Sequence, residues 1–220
     1  MRLRASVRRV ANISELAPCA ERHLREYTNP SGRFAFAAYD VLGDSSSLQP
    51  VDCLAPALLG AAVSAASVIE MNRPDTPEAA LWNAMRDLVA DPVCAETDFI
   101  DADLDGAAVR SLASAIALGK DTPGIKAVKI SKILHRKLPD FVPIIDRHVY
   151  KFHTGLTLPP SPYGKSVKRF WHVLQPDLKD NRDWLSDLAS KFPTPDGRPL
   201  SVLRAADIIV WHHVTQHCTV

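Results

Sequence analysis

The sequence predicts an all-α fold, and three observations carry that expectation. Apolar residues recur at helical spacing along almost the whole chain, helix start signals precede several of those runs, and strand-like content is confined to one short stretch. With 220 residues, 46% of them hydrophobic and 23% charged, the chain can bury a core and has the balance of a folded protein. Its loops are short and marked by Pro (Asn29–Gly32, Asp44–Pro50, Leu158–Pro162, Pro193–Pro199), and no repeat or long linker divides it. A single domain over 1–220 is expected, built as one body or as two helical lobes around a cleft.

Taken in order, the elements follow from local chemistry. Arg33–Val41 has strand-like content and also fits a helix. Val51–Ile69 is the most apolar stretch, but Asp52, Pro56, Ser64 and Ser67 interrupt it, so it reads as a buried helix of small residues rather than a membrane span. Thr76-Pro77-Glu78 is a helix start: a capping hydroxyl, Pro in the first turn, and a carboxylate at the positive end of the dipole. Leu81, Met85 and Leu88 follow on one face. Asp105 is expected to cap a helix carrying Val109, Leu112, Ala113 and Ile116, which Lys120–Gly124 ends. Ile125–Leu134 starts another, and Pro139 and Pro143 bracket a turn before a short segment through Asp146 and Val149. Further helices are expected over Tyr163–Leu174, Asp183–Phe192 and Leu200–His217, with Trp171, Trp184 and Trp211 in the core.

Charge and cysteine usage narrow the function classes. Lys and Arg total 26 against 25 Asp and Glu, so net charge gives no sign of nucleic acid. Basic residues nonetheless gather at Arg2–Arg9, Lys126–Lys137, Arg147–Lys151 and Lys165–Arg169, and a local field steers a polyanion whatever the net charge. Cys19, Cys53, Cys94 and Cys218 show no paired spacing, which points to a reducing compartment and a cytoplasmic protein. The basic N-terminus is not followed by an apolar signal core. His213 and His217, four apart, have metal-ligand spacing, but no Glu lies between them to act as a base. A structural role is the expectation there, with no metal and no cofactor.

The informative stretch is Thr122–Phe152. A Pro-Gly turn at Pro123-Gly124 opens onto a helix whose free N–H groups can grip an anion, with Lys126, Lys129, Lys132 and Lys137 on or beside it. After a Pro-bounded turn comes one acidic residue, Asp146, with Val142–Ile145 on one side and Arg147 on the other. Taken alone, Asp146 also fits a helix N-cap or an ion pair with Arg147 or Lys151, and the lysine run also fits a solvated helix face.

This arrangement resembles the helix-hairpin-helix DNA glycosylase superfamily. Pro123-Gly124-Ile125 matches its hairpin, and Pro143-Ile144-Ile145-Asp146-Arg147-His148-Val149 matches its catalytic segment with one residue inserted or shifted. The family's second hairpin glycine is replaced by Lys126, and the four clustered cysteines that hold an iron–sulfur cluster in some members are absent. The chain also looks similar to an uncharacterised group of bacterial proteins, through Lys129–Pro139 and Leu203–Trp211.

The first resemblance implies a monomeric enzyme that flips a damaged or modified base out of double-stranded DNA and excises it, in repair or in defence against phage with modified DNA. Asp146 would stabilise an oxocarbenium-like sugar and orient the nucleophile. Lys129 would be the candidate amine nucleophile, although water is expected to serve. Gly124, Lys126, Lys132, His135, Arg136, Lys137, Arg147 and His148 would meet the DNA backbone. Phe34, Tyr39 and Asp40, aromatics beside a carboxylate, suit a base pocket, and core packing of the N-terminal region also fits them. Two rivals from other classes are a non-catalytic helix-hairpin-helix DNA-binding module and a metal-dependent hydrolase using His212, His213 or His217.

Overall fold

A computed structural model of the protein describes residues 11–41, 47–160 and 164–216. The basic segment Arg2–Arg9, His217 and Cys218 lie outside the described residues. Twelve α-helices occur among the described residues, and no strand. They are α1 (Ala17–Thr28), α2 (Phe36–Tyr39), α3 (Ala55–Leu58), α4 (Ala65–Glu70), α5 (Pro77–Ala90), α6 (Pro92–Glu96), α7 (Ala107–Leu118), α8 (Ala127–Lys137), α9 (Arg147–Thr154), α10 (Lys165–Asp180), α11 (Arg182–Ser190) and α12 (Val202–Thr215). Short 3-10 turns, Ile13–Leu16 and Pro50–Leu54, lead into α1 and α3. Among the described residues, no helix is long and apolar enough to cross a membrane.

Helix starts follow the capping chemistry of the sequence. Thr76 Oγ1 accepts the Ala79 N–H at 3.0 Å ahead of α5, and Ser201 Oγ accepts the Arg204 N–H at 3.1 Å ahead of α12. Each such cap is typically worth about 1 kcal/mol. One expected cap falls elsewhere: the residue before α7 is Gly106, and the Asp105 backbone carbonyl instead accepts from Arg110.

One open reading is decided and one expectation is corrected. Arg33–Val41 holds the single helical turn α2, because Phe36 and Tyr39 bury on one face at a spacing of three. Val51–Ile69 is not one buried helix. Pro50 and Pro56 divide it into the 3-10 turn and α3, Ser64 caps α4, and Val51, Leu54, Leu58 and Ile69 are exposed. The helix expected over Tyr163–Leu174 continues as α10 through Pro176 to Asp180.

One continuous apolar core runs through both halves of the chain, joining Leu81 and Met85 of α5, Leu112 and Ile116 of α7, Ile130, Ile133 and Leu134 of α8, and Ile208 and Ile209 of α12. Each such fully buried aliphatic side chain contributes about 1.5–3 kcal/mol from area removed from water. Helix α12 packs against α1, α9 and α11, while α8 packs against α3 and α7. The last described helix therefore meets the first, and the segment containing α2 and α3 lies across α8.

Candidate active site

The Pro-Gly segment forms a turn between two helices. Gly124 adopts φ +73°, a left-handed conformation that glycine tolerates, where α7 gives way to α8. Gly119 permits the close approach of these helices, since a Cβ there would stand 2.5 Å from Ile130 Cδ1. The two hairpin lysines bind carbonyls of the turn itself. Lys126 Nζ donates to Gly119 O and Lys120 O at 3.1 and 3.0 Å, and Lys129 Nζ donates to Gly124 O at 2.5 Å.

From α8 the chain turns back through Leu138–Ile145, held against the helix it has just left. The His135 ring is 2.7 Å from Val142 O, and the Ile145 N–H donates to Ser131 Oγ at 2.9 Å. Burial pushes the His135 imidazole down to about 3, so it is neutral, with Nδ1–H donating to the carbonyl. These bonds aim Asp146, the N-cap of α9, whose Oδ1 accepts the His148 N–H at 2.8 Å. Its other oxygen lies 3.7 Å from Lys132 Nζ. Lys132 is buried and also donates to Leu59 O at 3.0 Å; burial lowers its basicity and Asp146 partly restores it.

Asp146 and Lys132 open into a cavity of about 250 Å³. Tyr27, Phe34 and Trp211 wall it, and Arg204 and Asp207 of α12 line it. Tyr27 and Phe34 stack with ring centroids 4.8 Å apart, and Trp211 meets both edge-on at 5.9 Å. Arg204 binds Asp40 through two bonds of 2.9 and 3.0 Å and Asp207 through one of 2.7 Å. Burial works against the charge of Arg204, but Asp40, Tyr27 and Asp207 outweigh it and raise its pKa. Asp207 is pushed up to about 6, first by burial and further by Asp146, with Arg204 opposing. The two pocket carboxylates therefore differ in environment, one at a helix start and one inside a buried network.

Of the residues singled out in the sequence, Asp146, Lys132 and Phe34 come together in this cavity. Tyr39 and Asp40 are placed behind it instead. The Tyr39 hydroxyl donates to Lys132 O at 2.7 Å, and its ring lies 4.8 Å from the Arg204 guanidinium. Lys129 is held at the hairpin carbonyl, and the lysine beside Asp146 is Lys132.

The expected backbone-contacting run is corrected at four positions. Lys132, His135, Arg136 and Lys137 are buried, and their polar atoms serve the interior rather than a surface that DNA could meet. Arg136 Nε donates to Tyr39 O at 2.9 Å, and Lys137 Nζ lies 3.1 Å from the buried carboxylate of Asp52. The cause is the α2–α3 segment, which covers a helix face whose charge pattern reads as solvated. Gly124 and Arg147 are exposed, Lys126 and His148 half-buried, and Arg147 Nε donates to His148 Nε2 at 3.0 Å.

Sequence reasoning missed Tyr27, Arg204 and Asp207 and assigned Trp211 only to the core. Arg204, Asp207 and Trp211 share one face of α12, at a helical spacing of three and four. Lys151, Lys165 and Arg169 are exposed on the mutually packed α9 and α10.

No curated protein and no solved structure matches the chain. The model of DUF6308, a family of unknown function, matches residues 20–214, and the chain belongs to that family.

Proposed function

We propose that the protein is a DNA N-glycosylase of the helix-hairpin-helix type, which draws one modified or damaged base into the Tyr27–Phe34–Trp211 cavity and hydrolyses its bond to the sugar. The observation that carries the reading is that Asp146, Lys132 and Asp207 line one cavity with Tyr27, Phe34 and Trp211. Aromatic faces hold a planar heterocycle by stacking, and N-glycosidic cleavage needs negative charge beside the developing sugar cation. The left-handed Gly124 between α7 and α8, with Asp146 capping the next helix, supports the likeness to that superfamily.

In this reading Asp146 faces the anomeric carbon, stabilises the cation and takes a proton from the attacking water. The C–N bond breaks as the water oxygen bonds to carbon. The leaving base carries the bond electrons and receives a proton from Asp207, whose raised pKa suits an acid near neutrality. Lys132 balances the carboxylate and the departing base, and no covalent enzyme intermediate is required. Gly124, Lys126, Arg147 and His148, with exposed Lys151, Lys165 and Arg169, replace the buried run as the surface for the phosphate backbone.

The test is abasic-site formation on duplexes carrying uracil, oxidised, alkylated, hydroxymethylated or glucosylated bases, comparing wild type with Asp146→Asn. Asn caps a helix as well as Asp does, so the fold should survive while the rate falls by about 10²–10⁴-fold. A non-catalytic DNA-binding module is the competing reading, since Asp146 already serves as a helix cap. Equal duplex binding by both proteins and no abasic product on any substrate would establish it.

A further inference from the structure

Where α1 crosses α12, a second polar cluster sits apart from the cavity. Cys19 and His23, four residues apart, share a face of α1, and His213 meets them from α12. One ligand-competent atom from each lies within 4.8 Å of the other two. The His23 ring is fully buried; its Nε2 has no hydrogen-bond partner, and neither does the buried Nδ1 of His213. A buried polar atom without a partner costs about 1–3 kcal/mol, and two on facing helices call for an occupant.

The tautomers support one. His23 Nδ1 is 2.9 Å from His212 Nδ1, and His212 Nε2 is 3.6 Å from the Glu26 carboxylate. With the His212 proton on Nε2 facing Glu26, its Nδ1 accepts from His23 Nδ1–H, and His23 Nε2 is left as a bare lone pair. A carboxylate within ion-pair range of one imidazole, which in turn contacts the next, resembles the outer shell of metal-binding histidines.

We propose that Cys19, His23 and His213 bind a divalent transition-metal ion of the zinc type. One thiolate and two imidazoles are a borderline-soft donor set that suits Zn²⁺ or Co²⁺, whereas Mg²⁺ and Ca²⁺ take oxygen ligands. Tetrahedral zinc holds such atoms about 3.5 Å apart, so closing the cluster takes side-chain adjustments of about an ångström. Binding exchanges the Cys19 thiol proton for the metal–sulfur bond and releases the proton to solvent. Three protein ligands leave a fourth position for water. The ion would pin α1 to α12 beside the aromatic wall, where Phe34 packs on His212 with ring centroids 5.3 Å apart.

The experiment titrates the full chain, stripped with a chelator under reducing conditions, with Zn²⁺ or Co²⁺ alone. One equivalent of Co²⁺ should give tetrahedral d–d absorption and a thiolate-to-cobalt charge-transfer band. Cys19→Ser should abolish that band, and His213→Gln should weaken binding by about 100-fold or more, beyond the usual loss of an outer-shell partner. Zinc at a fixed concentration should raise the melting temperature of wild type more than that of either variant. Wild type that is folded by circular dichroism and takes up no stoichiometric metal would overturn the proposal. So would a cobalt spectrum unchanged in both variants.

Discussion

Arg204 and Asp40, 164 residues apart, meet in a bidentate ion pair with contacts of 2.9 and 3.0 Å, and neither side chain is more than 7% exposed. The same guanidinium binds Asp207 and lies over the rings of Tyr27 and Tyr39. One cation thus fixes the carboxylate and an aromatic wall of the cavity together. Asp40→Ala removes one partner and leaves a buried charge partly uncompensated, so the fold should lose about 3–5 kcal/mol. Urea unfolding should show it as a lower midpoint at unchanged slope.

Asp207 gives the site a pH signature. Its carboxyl is raised from 3.8 to about 6, so its protonated form is favoured by the fold. Its contribution to stability is complete below 3.8 and is lost as pH rises through about 6. If it protonates the leaving base, single-turnover excision should fall as pH rises above about 6, and Asp207→Asn should remove that limb. A limb unchanged in Asp207→Asn would assign the acid elsewhere.

His135 acts with the opposite sign. Its imidazole is lowered from 6.5 to about 3 in the fold, so its contribution is complete above 6.5 and is lost as pH falls towards 3. Unfolding free energies near pH 7 and near pH 5 should differ more in wild type than in His135→Asn. Between 3.8 and 6 the Asp207 effect opposes it, so the comparison is drawn between the two proteins rather than within one.

Trp211 should matter for substrate more than for the fold, because its half-buried ring faces the cavity. Trp211→Ala should weaken binding of a modified duplex by about 1–3 kcal/mol, the usual worth of one base stacked on an aromatic ring. Equal weakening on modified and unmodified duplexes would remove Trp211 from the base pocket.

Gly124→Ala separates backbone strain from crowding. A Cβ at this position meets only Ser67 Oγ at 3.5 Å, an ordinary contact, so the stability cost is that of a left-handed alanine, about 1–2 kcal/mol. Duplex affinity should fall beyond what that cost explains if the turn approaches a phosphate. Filter binding at several salt concentrations measures it.

What was legible in the sequence is what local chemistry decides. Thr76-Pro77 marks a helix start because cap and partner are three residues apart, and Asp146 stands out because prolines and apolar residues frame it. The burial of Lys132, Arg136 and Lys137 was not legible, since their partners (Asp146, the Tyr39 carbonyl, Asp52) are brought by tertiary packing. A helix with charges at those positions reads as solvated until a second segment lies across it. Cys19 and His23 show helical spacing, but only the crossing of α1 and α12 adds His213.

The cavity wall joins Tyr27 and Phe34, early in the chain, to Asp207 and Trp211, near its far end. During synthesis the first two emerge long before the helix that completes their pocket. The cavity thus awaits closure of a loop of more than 170 residues, the kind of non-local contact that forms slowly. A nascent chain that has made Asp146 but not α12 lacks the Arg204, Asp207 and Trp211 side of this cavity. The cavity is completed by α12, not by the segment that carries Asp146.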